Sequence, residues 1–208
     1  MLDPRIEKYL SFSKVFIDLG CGSGETLDAL VGRYETLIGI DAFETRHKMR
    51  KAAPIGWEFS RADLNQPFPL PADYADTVFA NQVIEHIADP RFFASEIYRV
   101  LRKDGVSIIT TPNVRYIKQI WRIVVRGLGP CTANGEQLDG PWDDGHVHYF
   151  THKDLRNVFK AAGFSSLMSQ ALIDLSQDNW IRRILDHYAS TAPVREFLSG
   201  NILLVAKK

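Results

Sequence analysis

Cysteine is scarce in this chain: 208 residues hold two, Cys21 and Cys131. Two such thiols do not build a disulfide framework, and reduced thiols fit a cytoplasmic setting. Neither sign of charge is in excess, with 25 Lys+Arg against 25 Asp+Glu. Composition therefore carries no footprint of a nucleic-acid or membrane-surface partner. No run of about 18 apolar residues is present, so no membrane span is expected. The stretch Met1–Lys8 is too charged for a signal peptide. Internal repeats, low-complexity tracts and Pro/Ser-rich linkers are missing as well. A single domain over 1–208, long enough for a full core, is the expectation.

What the chain has is alternation. Short apolar runs at 15–19, 36–41, 56–60, 75–81, 105–111, 164–170 and 201–207 read as strands. Amphipathic stretches at 24–33, 44–53, 91–101, 114–126, 152–162 and 178–188 read as helices. The pattern predicts an α/β fold, a mostly parallel sheet with helices on both faces. Two segments exceed a minimal alternating core. One is 112–150, broken by Gly127, Gly129, Pro130, Gly135, Gly140, Pro141 and Gly145. The other is 171–200, with an apolar stripe at Trp180, Ile181, Ile184, Leu185 and Tyr188 that reads first as core and second as a dimer contact. Both are expected to form the acceptor side or a partner contact.

Val15-Phe16-Ile17-Asp18-Leu19-Gly20-Cys21-Gly22-Ser23-Gly24 is an apolar run ending in an acid, followed by glycine at every second position. Gly20, Gly22 and Gly24 can take positive φ and let a ligand approach the main chain at a helix start. A dinucleotide fingerprint needs a third glycine three positions past Gly22, where this chain has Glu25. That carboxylate would repel a diphosphate, whereas the methionine carboxylate of S-adenosylmethionine brings one negative charge to the helix start. Asp41 closes Leu37-Ile38-Gly39-Ile40-Asp41, where a carboxylate can accept from both ribose hydroxyls. Asp63, in Arg61-Ala62-Asp63-Leu64, can accept from an adenine amino group or serve as a plain turn residue. Asp18 either contacts ligand or caps backbone groups under the loop.

These pieces, with Asn81 and Glu85-His86-Ile87 after the fourth strand and Val100-Leu101-Arg102-Lys103-Asp104-Gly105-Val106 after that, resemble a class I S-adenosylmethionine-dependent methyltransferase. The resemblance covers about Val15 to Phe164. From Thr111-Pro112-Asn113 through His146-Val147-His148-Tyr149-Phe150 to Ala161-Ala162-Gly163-Phe164 it is similar to the glycan-cluster and MetW-like methyltransferases. It implies a Rossmann-like seven-stranded sheet whose last strand is antiparallel, with S-adenosylmethionine as cofactor. Gly20, Cys21 and Gly22, with Gly24, would line the methionine moiety, and Asp41 would bind the ribose. Asp63 and the Leu64 backbone would hold adenine, Ala42 would border its face, and Asn81 would sit near the sulfonium. With little chain before the first strand, the cover over the cofactor would be reduced or would come from 112–150 or a partner.

The implied reaction is methyl transfer to a small-molecule or glycan acceptor, with oxygen the first expectation. A poorly ionised hydroxyl needs a base, and the candidates in order are His86, His148 and His146. His86 can equally be a packed residue at a helix start, and Glu85 reads as structural. His146, His148 and His152 lie near Asp143 and Asp144, but no spacing there matches a closed zinc site, so no metal is expected. Arg115, Lys118, Arg122 and Arg126 recur on one helical face, opposite Ile117, Ile120, Trp121 and Val124. That face is either solvated or a clamp for an anionic acceptor. The alternatives are a non-catalytic S-adenosylmethionine-binding partner and, against the glycine spacing, a nicotinamide dehydrogenase.

Overall fold

The computed structural model describes residues 3–10, 14–42, 56–130, 145–173 and 180–208. Seven strands share one sheet: β1 (Val15–Leu19), β2 (Thr36–Asp41), β3 (Glu58–Arg61), β4 (Ala75–Asn81), β5 (Leu101–Pro112), β6 (Ser166–Leu172) and β7 (Asn201–Lys207). Their spatial order is β3-β2-β1-β4-β5-β7-β6. Only β7 runs against its neighbours, as the resemblance implied. Strand order reverses between β1 and β4, which opens a crevice beyond their carboxyl ends where ligands bind in such sheets.

Period-2 alternation divides the strands between two cores. Ile17, Leu19, Val78, Ala80 and Ile109 face one side with α3 (Pro90–Val100) and α5 (His152–Ala161). Phe16, Leu37, Phe79, Ile108 and Leu203 face the other with α1 (Pro4–Glu7) and α2 (Glu25–Leu30). Each large side chain taken from water contributes about 1.5–3 kcal/mol. Phe16 is fully buried with its ring 5.1 Å from that of Tyr34.

Helix starts follow from local chemistry. Asp89 caps α3 by accepting from the Arg91 and Phe92 amides, with Pro90 at the first position. Thr151 and Asp154 form a reciprocal capping box at α5. Asn113 turns the chain before α4 (Ile117–Arg126), its side chain accepting from the Arg115 amide and its carbonyl from that of Tyr116. This turn is why α4 starts three residues later than 114.

Several expectations change. The strand expected at 105–111 begins at Leu101, because Leu101 pairs with Ala75 ahead of a register irregularity that includes Asp104 at φ 65°. The helix expected over 24–33 ends at Leu30, and Gly32 at φ 83° turns the chain into a Val31–Tyr34 bridge. The 3₁₀ turn Ile84–His86 and α7 (Ala192–Phe197) carried no periodic signal because they are too short. The helix expected over 44–53 lies outside the described residues, as do Cys131, Trp142, Asp143 and Asp144.

The stripe on α6 (Trp180–His187) divides by face. Leu185 packs on Ala171, Ile173, Ala189 and Val194. Trp180, Ile184 and Tyr188, spaced by four, form a ridge on another face and are exposed, Trp180 by 71%. α4 likewise buries no residue, and its Trp121 and Val124 are 52% and 75% exposed among the described residues. Its four-cation face loses Arg115, which pairs with Glu196 at 3.0 Å and stacks on Phe197 at 4.5 Å. Among the described residues, no helix is long and apolar enough to cross a membrane.

Candidate functional site

The glycine loop leaves β1 and is clamped to β2: the Gly20 and Cys21 amides both donate to the Ile40 carbonyl, at 2.7 and 3.2 Å. The Gly22 amide donates to Asp41 Oδ2 at 3.0 Å. Gly22 sits at φ 51°, and a Cβ built on it would meet nothing within 4 Å. Side-chain packing therefore leaves space there, and it is the left-handed backbone that favours glycine. Gly24 is constrained by the protein itself: at φ 81°, its Cβ would stand 2.2 Å from Trp57 Cζ2. Trp57 is held by its indole N–H on Asp28 Oδ1 at 2.9 Å.

Asp18 lies beneath this loop, 3% exposed. Burial, then the nearby Asp41 carboxylate, hold its carboxyl well above the usual range. Asp41 itself closes β2 at the loop, and the Ala62 amide donates to its carbonyl at 3.1 Å. Asp63 follows on this exposed edge, its Oδ1 accepting from the amide and side chain of Asn65, both at 2.9 Å. Those bonds hold its carboxyl below the usual range. Leu64 is buried beside it. The Ala42 carbonyl accepts from Arg61 Nε.

Asn81 ends β4, in register with Thr110 on β5, and its Oδ1 accepts from the Thr110 hydroxyl. Thr110 Oγ1 in turn accepts from the amide and side chain of Gln82, a residue at φ 57°. With Phe79, Glu25, Thr26 and Ile6, Asn81 lines a cleft of about 270 Å³. The short segment before β1, expected to leave the cover reduced or supplied by 112–150 or a partner, does reach this cleft: Asp3 and Ile6 of the α1 region line it. An Arg5 bridge from Asp3 to Asp186 ties that region to α6.

The chain leaves β4 through Val83, whose Cγ2 would lie 2.4 Å from a Cβ on Gly20. This contact joins the glycine loop to the 3₁₀ turn carrying Glu85 and His86. Glu85 is 1% exposed; its Oε2 accepts from the Thr111 hydroxyl at 2.9 Å, while Oε1 is buried without a hydrogen bond. Burial raises its carboxyl, against the lowering effects of its own backbone N–H, the Thr111 hydroxyl and His86. The Glu85 carbonyl accepts from both the Val147 and His148 amides, at 2.9 and 3.1 Å. That pair of bonds delivers the 145–148 segment to the turn. His86 Nδ1 then lies 3.0 Å from the Gly145 carbonyl, and the His86 and His146 rings are 4.8 Å apart. His148 Nε2 meets the Ala88 carbonyl at 3.2 Å. A carbonyl only accepts, so neutral His86 carries its proton on Nδ1 and its lone pair on Nε2, and His148 the reverse.

The three candidate imidazoles thus gather at one edge, 60 positions of chain closed by main-chain bonds. His152 is elsewhere, buried at the start of α5 with Nδ1 2.6 Å from Ser169 Oγ. Sequence reasoning missed Gln82, Thr110 and Thr111. Their side chains are ordinary strand-end polar groups, and only the β4–β5 register shows what they hold.

A family model described as a methyltransferase domain matches residues 4–168. The chain belongs to that family. A probable S-adenosylmethionine-dependent methyltransferase of Mycolicibacterium smegmatis is 35% identical over 101 residues, covering 47% of this chain and 37% of the relative. Trans-aconitate 2-methyltransferase of Azoarcus sp. is 33% identical over 119 residues, covering 56% and 46%. The chain thus matches well under two thirds of these relatives' length. The fold is shared with the structure of a complex between the Trm112 methyltransferase activator of Haloferax volcanii and its methyltransferase partner, with TM-score 0.65, 20% identity, and 96% and 83% of the two chains covered. The family's cofactor is S-adenosylmethionine, and the residues present fit it. Gly22, with open space where a Cβ would stand, adjoins the Asp41 carboxylate, and a carboxylate is a group able to accept from vicinal hydroxyls.

Proposed function

We propose that this chain transfers a methyl group from S-adenosylmethionine to a hydroxyl oxygen of a small-molecule or glycan-type acceptor. Gly20, Cys21, Gly22 and Gly24 would line the methionine end, Asp41 would take the ribose hydroxyls, and Ala42, Asp63 and Leu64 would border adenine. Asn81 would stand beside the sulfur, its amide oriented by Thr110. Bound there, the cofactor supplies a methyl group made electrophilic by a positively charged sulfur.

The protein's own part is to hold the acceptor in line, exclude water and accept a proton. The observation that carries the reading is the His86–Gly145 bond, which leaves the basic Nε2 of His86 available at the edge beyond β4. A base so fixed is what a hydroxyl requires and an already ionised acceptor does not. His148 and then His146 are the next candidates. Relatedness to a trans-aconitate methyltransferase supports a small acceptor.

A second reading is a cofactor-binding partner or regulatory protein without catalysis. The exposed apolar ridge Trp180-Ile184-Tyr188 favours it. Calorimetry with S-adenosylmethionine, S-adenosylhomocysteine and NADH tests the cofactor. Release of S-adenosylhomocysteine with a panel of hydroxylated acids, phenols and sugars then tests the reaction. Binding of the two sulfur ligands with turnover on a hydroxyl acceptor supports the first reading, and binding with no turnover but a stable co-purifying protein supports the second. Binding of NADH alone overturns both.

A further inference from the structure

We propose that Glu85, His86 and His146 form a binding site for a divalent cation of the zinc class. One ligand atom from each lies within 4.8 Å of the other two. Bonds of about 2.1 Å in a tetrahedral site set ligand atoms roughly 3.4 Å apart, so side-chain shifts of an ångström or so close the site. In the sequence His146-x-His148 fits two ligands on one side of a strand, but no spacing around it matches a closed zinc site. The structure pairs His146 with the turn at 85–86 instead, through the two amides held by the Glu85 carbonyl.

Two further features are those of a ligand set. First, His86 and Glu85 are each oriented by a second group on one atom, and the proposal takes the other atom of each as the ligand. The Gly145 carbonyl holds His86 Nδ1, and the Thr111 hydroxyl holds Glu85 Oε2. Such partners fix the tautomer and aim of metal ligands. Second, Glu85 is 1% exposed with Oε1 buried and unbonded, and no Lys or Arg among the described residues pairs with it. A buried carboxylate oxygen in that state is costly, and a cation compensates it.

Two imidazoles with one carboxylate favour zinc-class ions over magnesium or calcium. Three protein ligands leave a position open, as in catalytic rather than structural sites. The consequence for the acceptor rests on the methyl-transfer reading: a hydroxyl taken as fourth ligand loses its proton more readily. With the His86 lone pair on the cation, that proton passes to His148, whose Nδ1 carries a lone pair.

Cation binding is tested without cofactor or acceptor. The tag-free full chain, stripped with chelator, is titrated calorimetrically with Zn²⁺ and Mg²⁺, and with Co²⁺ for its visible bands. One equivalent of Zn²⁺ bound in the micromolar range or tighter is expected, with a tetrahedral-type Co²⁺ spectrum and no Mg²⁺ competition. Glu85→Gln and His146→Ala are each expected to weaken Zn²⁺ at least tenfold, and His187→Gln, on exposed α6, to leave it unchanged. His146 is only partly buried, so its variant decides should Glu85→Gln fail to fold. Absent Zn²⁺ binding, preference for Mg²⁺, or binding untouched by His146→Ala overturns the site. Cofactor binding measured alongside separates this outcome from failure of the methyl-transfer reading.

Discussion

The amide of Gly22 donates to Oδ2 of Asp41 at 3.0 Å, so the loop after β1 and the end of β2 are joined through the carboxylate expected to hold a ribose. Replacing Asp41 by Ala removes that anchor together with the acceptor for the sugar hydroxyls. Charged hydrogen bonds contribute about 1.5–3 kcal/mol each, so S-adenosylhomocysteine affinity is expected to fall roughly 100-fold. Calorimetry reads the change, and an affinity within twofold of the parent would remove Asp41 from the site.

Two glycines in one loop are expected to separate fold from ligand. Gly22→Ala meets no atom of the protein and costs about 1 kcal/mol for its left-handed backbone, yet it places a methyl where the proposed reading puts the cofactor. Gly24→Ala drives a methyl into Trp57 and should cost about 3 kcal/mol of stability. Urea unfolding beside cofactor titration checks both. Equal loss of stability in the two variants would contradict this division.

His86→Ala and His148→Ala should leave S-adenosylhomocysteine binding within about twofold while lowering kcat on a hydroxyl acceptor by 100-fold or more for His86. Steady-state rates on the acceptor found by screening give the comparison. An unaffected kcat in both would mean that the acceptor arrives already ionised.

Stability should fall in mild acid through His152. Burial pushes its imidazole down to about 4 from an ordinary 6.5. The unfolded chain therefore binds the proton first as pH drops, so the stability is whole above pH 6.5, declines towards pH 4 and is flat below. The full loss is about 3 kcal/mol. Unfolding curves for the parent and His152→Gln between pH 4 and 7.5 isolate it, because the variant lacks this part of the slope.

The cofactor half of the site was legible because its signals are local. An apolar run, an acid and spaced glycines mark β1 and its loop within ten residues, and Asp41 follows one helix later. The acceptor half was legible only as a set of histidines. What brings His146 to His86 is a pair of main-chain bonds to the Glu85 carbonyl, and main-chain donors leave no mark in residue type. The apolar periodicity of α4 reads as a buried face, but periodicity says which residues share a side and not what lies against them. Trp180, Ile184 and Tyr188 differ from Leu185 for the same reason: a helix turn separates ridges that a stripe drawn on the sequence merges.

The anchor at the Glu85 carbonyl has a consequence for change over time and by design. The His86 and His148 rings meet main-chain carbonyls and the 145–148 segment hangs from the Glu85 carbonyl, all peptide groups that every substitution short of proline retains. Val147, exposed between His146 and His148, can change its side chain and keep its amide bond, whereas the Tyr149 ring stands 6.5 Å from that of His146. Selection or an engineer can therefore vary the side chain at 147 while His86 and His148 keep their main-chain partners.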